Sequence, residues 1–372
     1  MTHDLLIVGG GINGCAIARE AALHGLGVLL VERDTLAAHT SSASTKLIHG
    51  GLRYLEYRDF ALVREALQER ERLIRAAPHL IRPLRFVLPH VDALRPAWLV
   101  RAGLWLYDTI GGRSSLPPAR WLRADDAAYL APLAPGTKGF VYSDGFTDDA
   151  ALTRAFAADA QANGAAIREH VALLSARRAG DVWQAELSDG PVTARILVNA
   201  AGPWVAELFG RVGVTAQAGV RLVKGSHIVV PRLYDGDHAY MLQQPDRRIV
   251  FAIPWHGDTA IGTTDIPVDD PADATIDAAE VAYLCEAANR HFTRRIAPAD
   301  VIGDWSGVRP LYDDGASEAR AVTRDYVLEL DREGPPLLSI FGGKITTARR
   351  LAEDALAKLG WRDPVSRERA LP

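Results

Sequence analysis

Cysteine is nearly absent from this chain. Cys15 and Cys285 are the only two in 372 residues, too few for a disulfide scaffold, and no CxxC pair offers a redox dithiol. A reduced compartment fits that usage. No apolar run reaches the roughly 18 residues of a membrane-spanning helix. The start, Met1-Thr2-His3-Asp4, has no basic leader region and leads straight into an apolar strand, so no signal peptide is expected. There is no internal repeat, no low-complexity linker and no GxSxG nucleophile elbow. His79, His90, His238, His256 and His291 show no metal-ligand spacing, so no metal is expected. The net charge is −4, which provides no overall basic field to recruit nucleic acid.

Lysine is also scarce. Lys46, Lys138, Lys224, Lys344 and Lys358 are the only lysines among 42 cationic residues. A genomic bias toward arginine accounts for this, yet it makes each lysine worth a question. The charge is uneven as well. Residues 64–123 hold 11 arginines against the acids Glu65, Glu69, Glu71, Asp92 and Asp108, so that segment is +6 and the remainder −10. Such asymmetry points to an anionic surface as a partner.

What is present begins with a βαβ pattern. Asp4–Val8 is a short apolar run, Gly9-Gly10-Gly11-Ile12-Asn13-Gly14 follows it, Asn13 to His24 has helical spacing, and Gly27–Val31 is a second strand. A G-x-G-x-x-G between strand and helix suits a pyrophosphate. Gly9 allows the tight turn, Gly11 the close backbone approach, and Gly14 the packing of helix on strand. Glu32 ends the second strand, where a carboxylate can bind ribose hydroxyls. This motif alone does not separate FAD from NAD.

Further motifs lie downstream. Thr40–Lys46 is a hydroxyl-rich loop with one lysine, suited to a diphosphate and a ribityl chain. Gly50-Gly51 lets backbone pass close to a flat ring, with His49, Arg53 and Tyr54 beside it. Asn199-Ala200-Ala201-Gly202-Pro203-Trp204 follows a strand and permits close approach to a ligand. Arg309, within Ser306–Pro310, reads as either an ion-pair member or an anion clamp. Phe341-Gly342-Gly343-Lys344 is strand, turn and helix start, a place where negative charge on a reduced flavin can be stabilised. Phe60–Ala77 and Pro96–Ile110 read as helices, the second with Trp98, Trp105 and Tyr107 forming either a core stripe or an interfacial face.

Taken in order, GGGINGCAIA, TSSASTKLIHGGLRYLE, APHLIRPLRFVLPH, RPAWLVRAGLWLYD, NAAGPWV, VRLVKGSHIVVP, RIVFAIPW, IGTTD, SGVRPL, TRDY and FGGKITT resemble the FAD-dependent glycerol-3-phosphate dehydrogenases, within the D-amino-acid-oxidase-like flavoproteins. The stretches span essentially the whole chain. Ala201 departs from a common threonine, and Cys15 from a common small residue such as alanine.

The resemblance implies a mixed α/β fold: a Rossmann-like FAD-binding domain (1–77, 140–215 and 300–372) interleaved with an antiparallel-sheet substrate or cap domain (78–139 and 216–299). The family's usual C-terminal helical domain is expected to be absent. Implied FAD contacts are Gly9, Gly11, Ile12, Asn13, Gly14, Glu32, Arg33, Thr40, Ser41, Ser42, Lys46, Leu47, Ile48 and His49. Val171, Ala200, Ala201, Gly202, Trp204, Gly343, Lys344, Ile345 and Thr346 complete that set. The implied reaction oxidises sn-glycerol 3-phosphate to dihydroxyacetone phosphate and passes electrons to a membrane quinone.

Hydride leaves C2 while the 2-hydroxyl loses a proton. His49 is the candidate base, with nearby cations favouring its neutral form. His49, Arg309 and Lys344 form the expected catalytic set. Arg53, Tyr54, His227, Thr264, Arg309, Arg324 and Lys344 form the expected substrate set, because a phosphate needs several cationic donors. A peripheral place on the cytoplasmic face of the inner membrane, or the cytoplasm, is implied. An anionic membrane surface is the expected partner, and a homodimer is left open. Two other readings stand beside this one: a soluble flavin oxidase acting on an amino acid or 2-hydroxy acid, and an inactive flavin-binding remnant.

Overall fold

The apolar Asp4–Val8 run predicts a strand covered on both faces. In the computed structural model, which describes residues 2–91, 95–215, 219–313 and 325–372, that strand is β1 (Thr2–Val8), with Leu5, Leu6 and Ile7 fully buried. It pairs in parallel with Gly190–Asn199 on one side and with β2 (Val28–Val31) on the other. Strands buried on both faces read as unbroken apolar runs, which is why DLLIV and VLLV lack alternation. The first sheet runs Val327–Asp331, Leu337–Phe341, Gly190–Asn199, β1, β2, Ala166–Arg168, with the Leu173–Leu187 hairpin joined to Gly190–Asn199.

Helix α1 (Ile12–Leu23) leaves the glycine turn and is buried along most of its length. It packs between the helices Asp149–Ala162 and Ala348–Leu359. Small residues make that fit possible: a Cβ on Gly14 would lie 1.9 Å from the Gly9 carbonyl oxygen. Asp148 caps the Asp149–Ala162 helix by accepting from the Ala151 N–H.

The second sheet runs Ile266–Val268, Gly219–Val230, Asp258–Gly262, Ile249–Trp255, Ala239–Gln243, Ile81–Pro89, Gly139–Thr147, Leu47–Ile48. It is antiparallel except where Ala239–Gln243 runs parallel to Ile81–Pro89. Most of Gly139–Thr147 and all of Gly303–Asp313 fall within the expected FAD-binding segments, but both strands pair in this second sheet. Nine consecutive pairs, Ile81↔Thr147 to Pro89↔Gly139, tie the first of them in. Gly303–Asp313 pairs with Gly219–Val230 from Val229↔Gly303 to Gly219↔Asp313.

Helices α2 (Phe60–Ala76) and α3 (Ala97–Ile110) pack on each other. Arg349 reaches back 280 residues to α2 in a two-pronged, fully buried pair with Glu69, at 2.8 and 2.7 Å. Helix α3 resolves the Trp98/Trp105/Tyr107 question by splitting it. Tyr107 and Leu104 face the core, whereas Trp98 is 70 % and Trp105 60 % exposed. The spacing explains this: positions 104 and 107 share one side of a 3.6-residue turn, and 98 and 105 share another.

Candidate active site

Two cavities lie between the sheets and meet. Both are lined by Ile12, Thr40, Ser41, Pro310, Gly342 and Gly343, so together they form one bent channel. The first arm runs over the C-terminal ends of β1, β2 and Gly190–Asn199, where open α/β sheets bind ligands. Gly9, Gly11, Ile12, Asn13, Glu32, Arg33, Thr40, Ser41, Val171, Ala200, Ala201, Gly202, Trp204 and Gly343 all line it.

The first arm fits the nucleotide half of an FAD. Gly9 has a φ of +114°, and a Cβ there would meet the Ala200 carbonyl oxygen at 2.3 Å, so only a bare backbone can make this turn. Gly11 caps α1 with no side-chain hydrogen bond, leaving the helix dipole to act on the cavity. Glu32 is oriented by two backbone donors, the N–H of Gly10 at 2.6 Å and of Asp34 at 2.9 Å. At the far end the Arg33 guanidinium lies 4.1 Å from the Trp204 ring centre. Two buried polar atoms at the junction have no hydrogen-bond partner among the described residues, Asn13 Oδ1 and Lys344 Nζ. Such atoms are costly to bury dry and mark where a polar ligand belongs.

The second arm gathers the expected chemistry. His49, Arg53, Tyr54, Arg309, Lys344, Leu47, Ile345 and Thr346 line it, joined by Asp265, Thr263, Asp144, Phe86, Tyr142, Met241 and Phe251. Lys344 Nζ sits 4.2 Å from the Tyr54 ring centre. Burial lowers the His49 pKa to about 4, aided by the charges of Lys344 and Arg70, so the ring is neutral at neutral pH. The Gly51 N–H donates to His49 Nδ1 at 3.0 Å. In the neutral ring the hydrogen therefore sits on Nε2. Proton uptake at Nε2 requires the other tautomer and the loss of that one bond, worth about 1 kcal/mol.

The turn that carries His49 is anchored from beneath. The Gly50 N–H donates to the Tyr107 hydroxyl at 2.7 Å, which donates to the Asp144 carboxylate at 2.9 Å. Arg70 also reaches Asp144, at 2.7 Å. Burial raises the Asp144 pKa to about 6 against the pull of Arg70. Asp144 carries no sequence signal, and Tyr107 reads only as part of an aromatic stripe, because both act through contacts distant in the chain.

Several expected contacts lie elsewhere. Lys46 does not line the channel; its amine is taken up in a buried pair at 2.6 Å with Asp149, which does line it and which also accepts from the Ser44 N–H and hydroxyl. Lys46 therefore pins the hydroxyl loop from behind. Thr264 donates to Glu280 at 2.6 Å and accepts from the Ser226 N–H, on the side away from the channel. Its neighbours Thr263 and Asp265 face the channel instead. His227 is stacked on Trp305, with Nε2 3.0 Å from the Thr45 hydroxyl, so it reaches the channel only through Thr45. Ile48 is fully buried in the core, Gly14 packs on Gly9, and the Ser42 hydroxyl bonds the His39 carbonyl. Arg324 lies outside the described residues.

Arg309 is an ion-pair member, one of the two characters anticipated for it, and its place in the channel wall leaves its guanidinium within reach of a ligand. It lines the channel, and it pairs with Asp265 Oδ1 and the Thr263 hydroxyl, each at 3.2 Å.

The comparisons with known proteins agree on one family. Residues 4–349 match the family model described as FAD dependent oxidoreductase. The chain is 52% identical over 367 residues to a glycerol-3-phosphate dehydrogenase of Pseudomonas aeruginosa, covering 96% of this chain and 71% of that protein. It is 51% identical to a D-erythritol 1-phosphate dehydrogenase of Brucella abortus, covering 96% of this chain and 74% of that one. A solved glycerol-3-phosphate dehydrogenase from Bacillus halodurans, complexed with FAD, superposes with a TM-score of 0.71 at 29% identity. That match covers 96% of this chain and 64% of the Bacillus chain.

Proposed function

The chain belongs to the FAD-dependent oxidoreductases, among the glycerol-3-phosphate dehydrogenases, and on that premise we propose that the bent channel oxidises sn-glycerol 3-phosphate and feeds the electrons to a membrane quinone. One observation carries the reading. The arm that fits a nucleotide opens directly into a second arm holding a neutral, half-buried histidine and the cations Arg53, Arg309 and Lys344. When bound, FAD supplies a two-electron acceptor for the hydride from C2.

The chain's own residues do the rest. Arg309 and Arg53 hold the phosphate; a charge-assisted bond of this kind contributes on the order of 1.5–3 kcal/mol. Lys344 supplies positive charge at the junction, where its amine otherwise lacks a partner. Tyr54 covers that amine. His49 takes the 2-hydroxyl proton at Nε2. The arriving phosphate dianion adds negative charge near the imidazole and so raises its proton affinity when the substrate is bound. The larger cationic set favours a phosphate over a carboxylate substrate, for which one arginine suffices.

The attachment to a membrane rests on α3. Trp98, Leu99 and Trp105 are exposed on one helix within the basic 64–123 segment. Apolar insertion combined with basic charge suits an anionic lipid surface. Among the described residues no helix is long and apolar enough to cross a membrane. The exposed tryptophans and the basic segment support a peripheral place at the cytoplasmic face of the inner membrane.

A visible spectrum of the purified protein, before and after anaerobic glycerol 3-phosphate, tests the activity. Bleaching of a flavin spectrum is expected. No bleaching favours the inactive remnant. Bleaching by D-erythritol 1-phosphate alone moves the substrate to the longer polyol phosphate. Peroxide formed in step with substrate loss in air favours the oxidase.

A further inference from the structure

Gly225 lies in the middle of the buried strand Gly219–Val230, where glycine is a poor choice. It weakens a strand and offers no side chain to pack. Backbone conformation does not demand it, since Gly225 is not among the residues with positive φ. It is not a bulge either: it pairs in register with Gly307, and Val223, two residues before it, pairs with Arg309. Residues 223 and 225 share one face of the strand, so the Arg309 side chain can run diagonally from its own pair to position 225.

That is where its guanidinium lies. A Cβ on Gly225 would stand 2.2 Å from Arg309 Nη2, 2.9 Å from Cζ and 2.6 Å from the Thr263 hydroxyl. Each of these is the end of a side chain, and none is backbone. The same two groups are bonded to each other, Arg309 Nη2 to Thr263 Oγ1 at 3.2 Å, while Nη1 pairs with Asp265 at 3.2 Å. A planar fork binds a phosphate well only when its plane is set in advance.

We propose that Gly225 is a positioning residue for phosphate-monoester specificity: the missing side chain is the slot in which the Arg309 guanidinium lies, held there by Thr263 and Asp265. The proposal rests on the reading that Arg309 binds the substrate phosphate. Of the three atoms nearest to a Cβ at 225, two belong to the Arg309 guanidinium, the flexible end of a long side chain, so that group is the one a new methyl displaces most readily.

The test is Gly225→Ala in the flavin-loaded protein, beside Arg309→Lys and the double variant. Gly225→Ala is expected to raise KM for glycerol 3-phosphate roughly tenfold or more, with kcat within about twofold and flavin content unchanged. The stabilisation of the melting transition by inorganic phosphate should weaken in parallel, which reads binding without turnover. The double variant should raise KM no further than Arg309→Lys alone, because both changes act on one guanidinium.

An unchanged KM in Gly225→Ala overturns the proposal, as does a fall in kcat or flavin content with KM held. Additive effects in the double variant also overturn it. An unchanged KM in Arg309→Lys overturns instead the phosphate role of Arg309, and the proposal with it. If the alanine variant does not fold, Thr263→Val removes the hydroxyl bond without adding a side chain at 225. A severalfold rise in KM at constant kcat is then expected, and its absence refutes the slot.

Discussion

Acidification should unfold this protein through three histidines whose proton affinity is lowered in the fold, His227 and His238 buried and His49 half-buried. Burial lowers the His49 pKa to about 4, with Lys344 and Arg70 assisting. Burial lowers His227 to about 3, assisted by Arg309 and Lys46. Burial lowers His238 to about 4, opposed by Asp237. Each starts from the usual 6.5 in the unfolded chain. A folded state that rejects a proton keeps its full stability above the unfolded value and loses it as pH falls through 6.5 toward the folded value.

At about pH 5 each of the three has given up about 2 kcal/mol relative to about pH 7.5. Asp144 works the other way. Its carboxyl is raised from 3.8 to about 6, so the folded state takes up a proton first. That returns about 1 kcal/mol over the same interval. For these four groups together the loss is about 5 kcal/mol, comparable to the whole stability of many domains. Urea unfolding of the flavin-loaded protein, followed by tryptophan fluorescence at a series of pH values, reads it directly. The midpoint should fall steeply between about pH 6.5 and about pH 5. In His227→Gln that acid loss should shrink by about 2 kcal/mol. A midpoint that stays flat over this interval, or a fall that high salt abolishes, refutes the reasoning, since buried groups are little screened.

Two further outcomes follow from the channel and from α3. His49→Ala should lower kcat about 100-fold or more while flavin stays bound, because His49 is the one histidine lining that arm among the described residues. Full-speed turnover, or simple loss of the flavin, removes the base assignment. Replacing Trp98 and Trp105 with serine should abolish co-sedimentation with anionic liposomes without changing turnover of a water-soluble electron acceptor. Wild-type protein that does not sediment, or sediments equally in high salt, counts against an electrostatic membrane contact.

The parts of the molecule legible in the sequence are those whose logic is local. β1, the glycine turn, α1 and Glu32 lie within about thirty consecutive residues of one βαβ unit, and strand, turn and helix signals there agree. The Asp148 cap is likewise set by residues three apart. What was illegible depends on the register or on the far end of a long side chain. Thr264 is expected at the substrate, but its hydroxyl bonds Glu280 while its neighbours Thr263 and Asp265 line the channel, because adjacent side chains in open chain point different ways. Lys46 sits in a loop that reads as a phosphate cradle, yet its amine is claimed by Asp149, 103 residues away.

Gly225 marks the limit most sharply. Within VKGSHIVV a strand glycine reads as a weak spot, and no spacing relates it to Arg309, 84 positions later. Its meaning arises only when Gly219–Val230 pairs with Gly303–Asp313 and brings the guanidinium diagonally across it. A glycine can thus carry specificity through the volume it leaves empty, and that volume belongs to a different strand.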